Sequence, residues 1–412
     1  MQAPVQIVHA GHLLVEPGQA VKAACSIRIE KSRITAVEAG YVAPPDGAHL
    51  IDLKDMFVLP GLIDCHVHLT GQFDAAHPMR IVTDSDAKTA LTGAHYAKLT
   101  LDAGFTTVRD VGALGNSEVI YALRSAIAEN KVPGPRVLCA GNIISPTGGH
   151  GQIYGYRQDV CACIQAKGGV CDSPDECRKA VRRQVADGAD VIKMVATGGV
   201  LSNIRAGLDQ QFTTEEIKSI VETAHRLGRR VAAHAHGVDG INAALEAGVD
   251  SIEHGSYLDD RSIDLFLKKG AYHVPTVIAG MTAMEMAKKG GMTGAQADKA
   301  LIIGEQIVHA LKKSHAAGVK VAFGTDMGVG PHGKNAQEFR YMTQAGMTPM
   351  ACLKAATVTA AQLLDLDGEI GAIAPGKSAD IVAVKGDPLS DLAILETMPF
   401  VMARGRVRKH LH

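Results

Sequence analysis

Leu59-Pro60-Gly61-Leu62-Ile63-Asp64-Cys65-His66-Val67-His68 reads as a short apolar strand that ends in two histidines one residue apart. Side chains alternate along a strand, so His66 and His68 point the same way. From here to Phe323, short β-branched runs alternate with helical stretches, the pattern of βα units around a parallel sheet. The further strand segments are Thr106-Thr107-Val108, Arg136-Val137-Leu138, Val191-Ile192-Lys193, Val231-Ala232-Ala233, Ser251-Ile252-Glu253, His273-Val274-Pro275 and Val319-Lys320-Val321-Ala322-Phe323. With the first segment they make about eight, the number that closes a barrel. Several preceding helices end in glycine just before the strand, as at Gly104, Gly188, Gly248 and Gly318, which is C-capping chemistry repeated along the chain.

These features predict an α/β chain whose residues 59–369 form a distorted (β/α)8 TIM barrel. Residues 1–58 and 370–412 read differently, as short strands and turns such as Ser26-Ile27-Arg28-Ile29-Glu30 and Ala379-Asp380-Ile381-Val382-Ala383-Val384. They are expected to meet in one small, discontinuous β-sandwich domain. An insertion at about 147–173 follows the third strand and is expected to lie over the face where barrel active sites form.

A chain of 412 residues, 46% hydrophobic and 21% charged, has ample material for a large core. A net charge of −1 with no dense basic run gives no footprint for nucleic acid or an anionic membrane, and a small-molecule substrate is the expected partner. No stretch approaches the roughly 20 apolar residues of a bilayer span, and Met1-Gln2-Ala3-Pro4 does not open a signal peptide. The expectation is a soluble protein. Of eight cysteines, Cys161, Cys163, Cys171 and Cys177 cluster in one short segment, the first three within the insertion and the last just past it. Their spacing is unlike a zinc finger, so one or two disulfides are the favoured reading, with a zinc site or free thiols as alternatives. Disulfides lean toward an oxidising address such as a periplasm, with the cytoplasm left open.

Chemistry gathers at the strand ends. Lys193 closes the fourth strand, His234 the fifth, His254 the sixth and Asp326 follows the eighth, so with the first strand five ends carry candidate groups. Any one could be an ordinary buried or ion-paired residue. Packing alone does not explain the set. An ammonium has no acceptor for a cation, so Lys193 needs its charge removed before it can join a metal site. Carboxylation by CO2 would make it a carbamate, an anion with two oxygens able to bridge two metals.

Leu59–His68, Lys193, Ala233-His234-Ala235-His236-Gly237, Ile252-Glu253-His254-Gly255 and Gly324-Thr325-Asp326 together resemble the amidohydrolase superfamily across nearly the whole chain. Within it, the chain looks similar to the binuclear branch of Xaa-Pro and Xaa-Arg or Xaa-Lys dipeptidases and ochratoxin-hydrolysing amidohydrolases. The resemblance implies two divalent metal ions, zinc by family habit. It places His66, His68 and Asp326 on one ion and His234 and His254 on the other, with carboxylated Lys193 and a hydroxide bridging. It further implies a homo-oligomer, with an octamer as one form, acting on a dipeptide or other N-acyl amino acid. Asp326 is expected to move the proton to the leaving nitrogen.

His236 shares a strand face with His234, and is expected to meet substrate while His234 serves as ligand. His150 lies in the Ser145-Pro146-Thr147-Gly148-Gly149-His150-Gly151 loop and is expected to contact and polarise the substrate carbonyl. Tyr154, Arg157 and Arg205 are candidates for gripping a substrate carboxylate, each with a solvated loop residue as the plainer reading. The methionines of 281–292 are read as helix packing, a greasy channel being the alternative. Two rival functions stand on the same scaffold: a cyclic-amide hydrolase or deaminase resembling imidazolonepropionase, and a non-catalytic barrel. Lys193 argues against the deaminases, which usually use one metal and no bridging lysine.

Overall fold

The computed structural model describes residues 5–74, 76–113, 116–153, 155–165, 169–202 and 207–411. Both chain ends enter one seven-stranded sheet, in the order Arg406–His410, Phe400–Ala403, Ile381–Val384, His49–Pro60, Gln6–Leu13, Lys22–Glu30 and Arg33–Ala39. Period-two patterning explains it: Ile27 and Ile29 are buried with Val8, Ile51, Ile381 and Phe400, while Arg28 between them pairs with Glu30 at the surface. Hydrogen bonds from Ile34 N to Lys377 O and from Ala379 N to Ser32 O bring the outermost strand back toward the other end, curling the sheet. The strands of both chain ends are hydrogen-bonded as one continuous sheet.

The strands between Leu62 and Val321 are parallel. Leu62–Val67, Phe105–Asp110 and Arg136–Cys139 form a three-stranded sheet. Val191–Val195, Arg230–Ala235, Ser251–His254, Tyr272–Val274 and Lys320–Val321 follow in order in a second, which has seven strands. Every strand segment read from sequence is present, the last shorter than expected. At one seam Asp190 N donates to Cys139 O at 2.9 Å, and at the other Cys65 N donates to Phe323 O at 2.8 Å. Gly188 and Gly248 end their helices in the left-handed conformation, as the capping pattern predicts, at φ 105° and 95°.

Ile192, Met194, Ala233, Ala235 and Ile252 pack into one apolar cluster with the surrounding helices. Alternation then turns Lys193, His234 and Glu253 the other way. The remaining two strands of the second sheet belong to the insertion: Ile144–Ser145 leads into it and Gly169–Val170 returns parallel beside it. A Cys171–Cys177 disulfide staples that return to the helix Pro174–Asp187, whereas Cys161 and Cys163 are free thiols. Cys25, Cys65, Cys139 and Cys352 are free and buried. Among the described residues no helix is long and apolar enough to cross a membrane.

Candidate active site

The ends of the parallel strands surround a cavity of about 510 Å³, with His66, His68, Lys193, His234, His236, His254 and Asp326 on its polar floor. The imidazoles are close enough to act as one centre: ring centroids lie 4.6 Å apart for His234 and His254, 5.1 Å for His66 and His254, and 5.5 Å for His66 and His68. Two residues reach the floor by leaving ordinary strand geometry. His254 has φ 68° and Asp326 φ 57°. At His254 this lets consecutive residues Glu253 and His254 both approach the centre, where strict alternation would separate them.

His66, His68 and Asp326 each present a ligand atom, and these atoms lie within 4.8 Å of one another. His66 Nδ1 is 2.7 Å from Glu253 Oε2. Burial, then Lys193, pushes the His66 pKa down to about 4, so the ring is neutral, donates Nδ1–H to the carboxylate and leaves the Nε2 lone pair facing Asp326. His68 Nδ1 lies 2.7 Å from the Gly112 carbonyl, which can only accept, and its Nε2 is 3.2 Å from Asp326 Oδ1. Both rings thus have the outer nitrogen anchored and the inner one turned toward Asp326, the arrangement of metal-ligating histidines. Asp326 Oδ1 is buried without a hydrogen-bond partner. Burial alone would raise the Asp326 pKa, yet His66 and His68 outweigh it and hold the group below the usual carboxylate range. The donor set fits a divalent cation.

Across the floor, His254 Nδ1 is 2.7 Å from Thr276 Oγ1 and His236 Nδ1 is 2.8 Å from Ser256 Oγ. His234 Nε2 is 3.3 Å from the Gly198 carbonyl. Burial and the neighbouring imidazoles depress the His234 and His254 pKa values well below normal, so both are neutral. Lys193 is buried in the same space, and burial lowers its pKa to about 8 against the opposing pull of Glu253 and Asp326.

His150 is brought to the cavity by its loop, its ring centroid 4.4 Å from that of His234. Its backbone N donates to Gln211 Oε1 at 2.9 Å and its Nδ1 meets Ser202 Oγ at 2.5 Å. Lys299 Nζ holds the carbonyls of Gly199 and Ser202, both at 2.7 Å, fixing the segment against which His150 packs. Burial, then Lys193, lowers the His150 pKa to about 4, so this ring is neutral as well. The insertion contributes Ile153, Ile164 and Val170 to the cavity wall. Arg157 is placed elsewhere: its side chain is 80% exposed, paired with Asp159, and is not among the lining residues. Tyr154 and Arg205 lie outside the described residues. None of the methionines of 281–292 lines the cavity, and Met284 and Met292 pack into the helix core instead.

Sequence reasoning passed over Arg109 and Glu253. Arg109 is 1% exposed and donates to Cys65 O at 2.6 Å, Ser251 Oγ at 3.1 Å and Glu253 Oε1 at 2.8 Å. Glu253 tends to be raised by burial, but Arg109 and then His66 hold its pKa well below the normal range. The available signal was a pair of opposite charges, each inside a strand expected to be buried, where isolated charges are untenable.

The amidohydrolase family model matches residues 57–409. The chain belongs to the amidohydrolase family. Ochratoxinase of Aspergillus niger is 30% identical over 96% of this chain and 84% of its own length. A crystal structure of a Xaa-Pro dipeptidase with methionine bound in its active site is 39% identical, with a TM-score of 0.93 over 98% of this chain and 99% of that one. The imidazolonepropionase of Fusobacterium nucleatum is more distant, 23% identical over 86% of this chain and 83% of its own. This amidohydrolase family member is therefore a hydrolase, with a His-His-Asp group able to hold a metal ion.

Proposed function

We propose that the chain is a binuclear zinc amidohydrolase that releases the C-terminal amino acid from a dipeptide or another N-acyl amino acid. The carrying observation is the convergence of His66, His68 and Asp326 within 4.8 Å, beside Lys193, His234 and His254, on the floor of one cavity. His66, His68 and Asp326 would hold one ion and His234 and His254 the other, with Lys193 between them as a carbamate. Similarity to ochratoxinase and to the Xaa-Pro dipeptidase supports the choice of an amide bond to an amino acid. The backbone bonds at both seams support closure of the eight parallel strands into a distorted (β/α)8 barrel.

When bound, divalent ions supply Lewis acidity toward the scissile carbonyl and toward water, whose pKa can fall to about 7. The protein's own groups supply the rest. Asp326, kept ionised by its histidine neighbours, accepts a proton from the attacking water and passes it to the leaving nitrogen, since an amide anion is a very poor leaving group. With the Ser202 hydroxyl donating to Nδ1 of neutral His150, the Nε2–H is left to donate to the substrate carbonyl oxygen. His236, anchored by Ser256, orients the substrate beside it.

The Cys171–Cys177 disulfide supports an oxidising compartment. A homo-oligomer is proposed from the family resemblance, to be checked by light scattering. The deciding experiment pairs metal analysis of the purified chain with hydrolysis of N-acyl amino acids, dipeptides and a cyclic amide. About two zinc ions per chain with release of the C-terminal amino acid is the expected result. Cleavage of the cyclic amide alone would replace this reading with the imidazolonepropionase-like one.

A further inference from the structure

We infer that the substrate side chain selected by this site is bulky, apolar and uncharged, and that Lys or Arg at that position is rejected. This rests on the amide-hydrolase reading and deepens it by naming a substrate class.

The cavity has two unlike halves. Imidazoles, Lys193 and Asp326 occupy the floor, whereas the wall includes Phe73, Ile81, Ile143, Ile153, Val170 and Val329. These six arise in three separate parts of the chain: after the first parallel strand, in and just before the insertion, and after the last strand. None is fully buried, so the protein leaves apolar surface facing the hollow instead of packing it away. Isolated exposed apolar groups are ordinary, but a concave wall of them marks a binding surface. Ala279, Gly280 and Ala283 of the helix Val277–Lys288 also face the cavity, small side chains that keep it wide.

Polar wall positions include Asn142, Gln152, Tyr156 and Ser202, all uncharged, and His77, whose ring packs on Phe73 with centroids 5.1 Å apart. Among the described lining residues Asp326 is the only carboxylate, and it lies on the floor beside His66 and His68, not on the wall. A substrate ammonium or guanidinium lodged against this wall would lose hydration and gain no ionic partner. An aliphatic or aromatic side chain would lose nothing comparable and would cover the exposed apolar surface.

Norleucine and lysine form the discriminating pair, nearly equal in length and different in terminal charge. The zinc-loaded full chain is assayed on dipeptides carrying one or the other, first at the C-terminal and then at the N-terminal position. Norleucine is expected to give a kcat/KM at least about tenfold higher at the position that meets the wall. Equal rates at both positions, or a preference for lysine at either, would overturn the inference. Binding of N-acetylnorleucine and N-acetyllysine, followed by calorimetry, reads the same selectivity without turnover. If no dipeptide is cleaved, tighter binding of N-acetylnorleucine still upholds the inference while the amide-hydrolase reading falls, and equal or absent binding overturns it. Val329→Asp and Ile143→Asp are each expected to narrow the norleucine-to-lysine ratio in rate or binding, and an unchanged ratio in both would remove the wall as its source.

Discussion

Arg109 and Glu253 form a buried ion pair of 2.8 Å, and the second oxygen of the same carboxylate, 2.7 Å from His66, orients that imidazole. Glu253 therefore joins the charge balance of the interior to the tautomer of a proposed metal ligand. In Glu253→Gln, the amide oxygen would stay with Arg109 and Ser251, turning the NH2 toward His66 Nδ1. That forces the ring proton onto Nε2, where a cation would bind. Metal affinity is expected to fall about 10–100-fold with the fold retained, as measured by chelator competition and circular dichroism.

Removing the other partner has a different signature. Arg109→Met leaves the Glu253 charge buried with less compensation, an expected cost of about 3–5 kcal/mol in denaturant unfolding. The Arg109→Met/Glu253→Gln double variant is expected to be more stable than the sum of the two single changes. Simple additivity would show that the pair is not coupled.

Lys193→Ala is expected to lower zinc content and abolish turnover together. Asp326→Asn is expected to lose about 10²–10⁴-fold in kcat, beyond any loss of bound metal. Full metal content and turnover in the Lys193 variant would sink the carbamate. Near-normal rates in the Asp326 variant would remove it as the proton carrier.

His332 offers a pH test away from the floor. Burial lowers its pKa from 6.5 to about 4, and its Nε2 lies 2.9 Å from the Gly71 carbonyl. Since the folded chain resists protonation here and the unfolded chain does not, this contribution is fully present above pH 6.5 and is lost as pH falls through about 4. The shift corresponds to roughly 3 kcal/mol. His332→Gln should flatten the acid limb of stability against pH. An unchanged limb would show that His332 is not among its causes.

Reducing the Cys171–Cys177 bridge opens a link spanning only six positions in sequence. Its entropic contribution is about 2–3 kcal/mol. Urea unfolding with and without reductant should reveal it, and the Cys177→Ala variant should be insensitive to reductant.

The strand ends were legible because alternation and βα periodicity are local, so the His66/His68 pair and the positions of Lys193, His234 and Asp326 could be read from short segments. The Arg109–Glu253 contact joins residues 144 positions apart, and no local pattern announces its geometry. The turn at His254 was hidden for a related reason, since a positive φ is uncommon for any residue with a side chain and the local sequence carries no mark of it. Arg157 shows the opposite weakness. Its chemistry suited a carboxylate grip, yet Asp159 two residues away satisfies it at the surface. Loop side chains follow the nearest partner, and which partner is nearest depends on a path that strand periodicity does not specify.

His254, Thr276 and Asp326, at φ 68°, 49° and 57°, each occupy backbone territory where a side chain is unwelcome. Such residues cost about 1–3 kcal/mol apiece. Selection for heat resistance alone would therefore drift toward glycine or asparagine at these sites, yielding sturdier proteins that have lost the groups meeting at the floor. An evolving lineage under that pressure would reach its most durable sequences by extinguishing its catalysis, so durability in this protein is bounded by the reaction it has to perform.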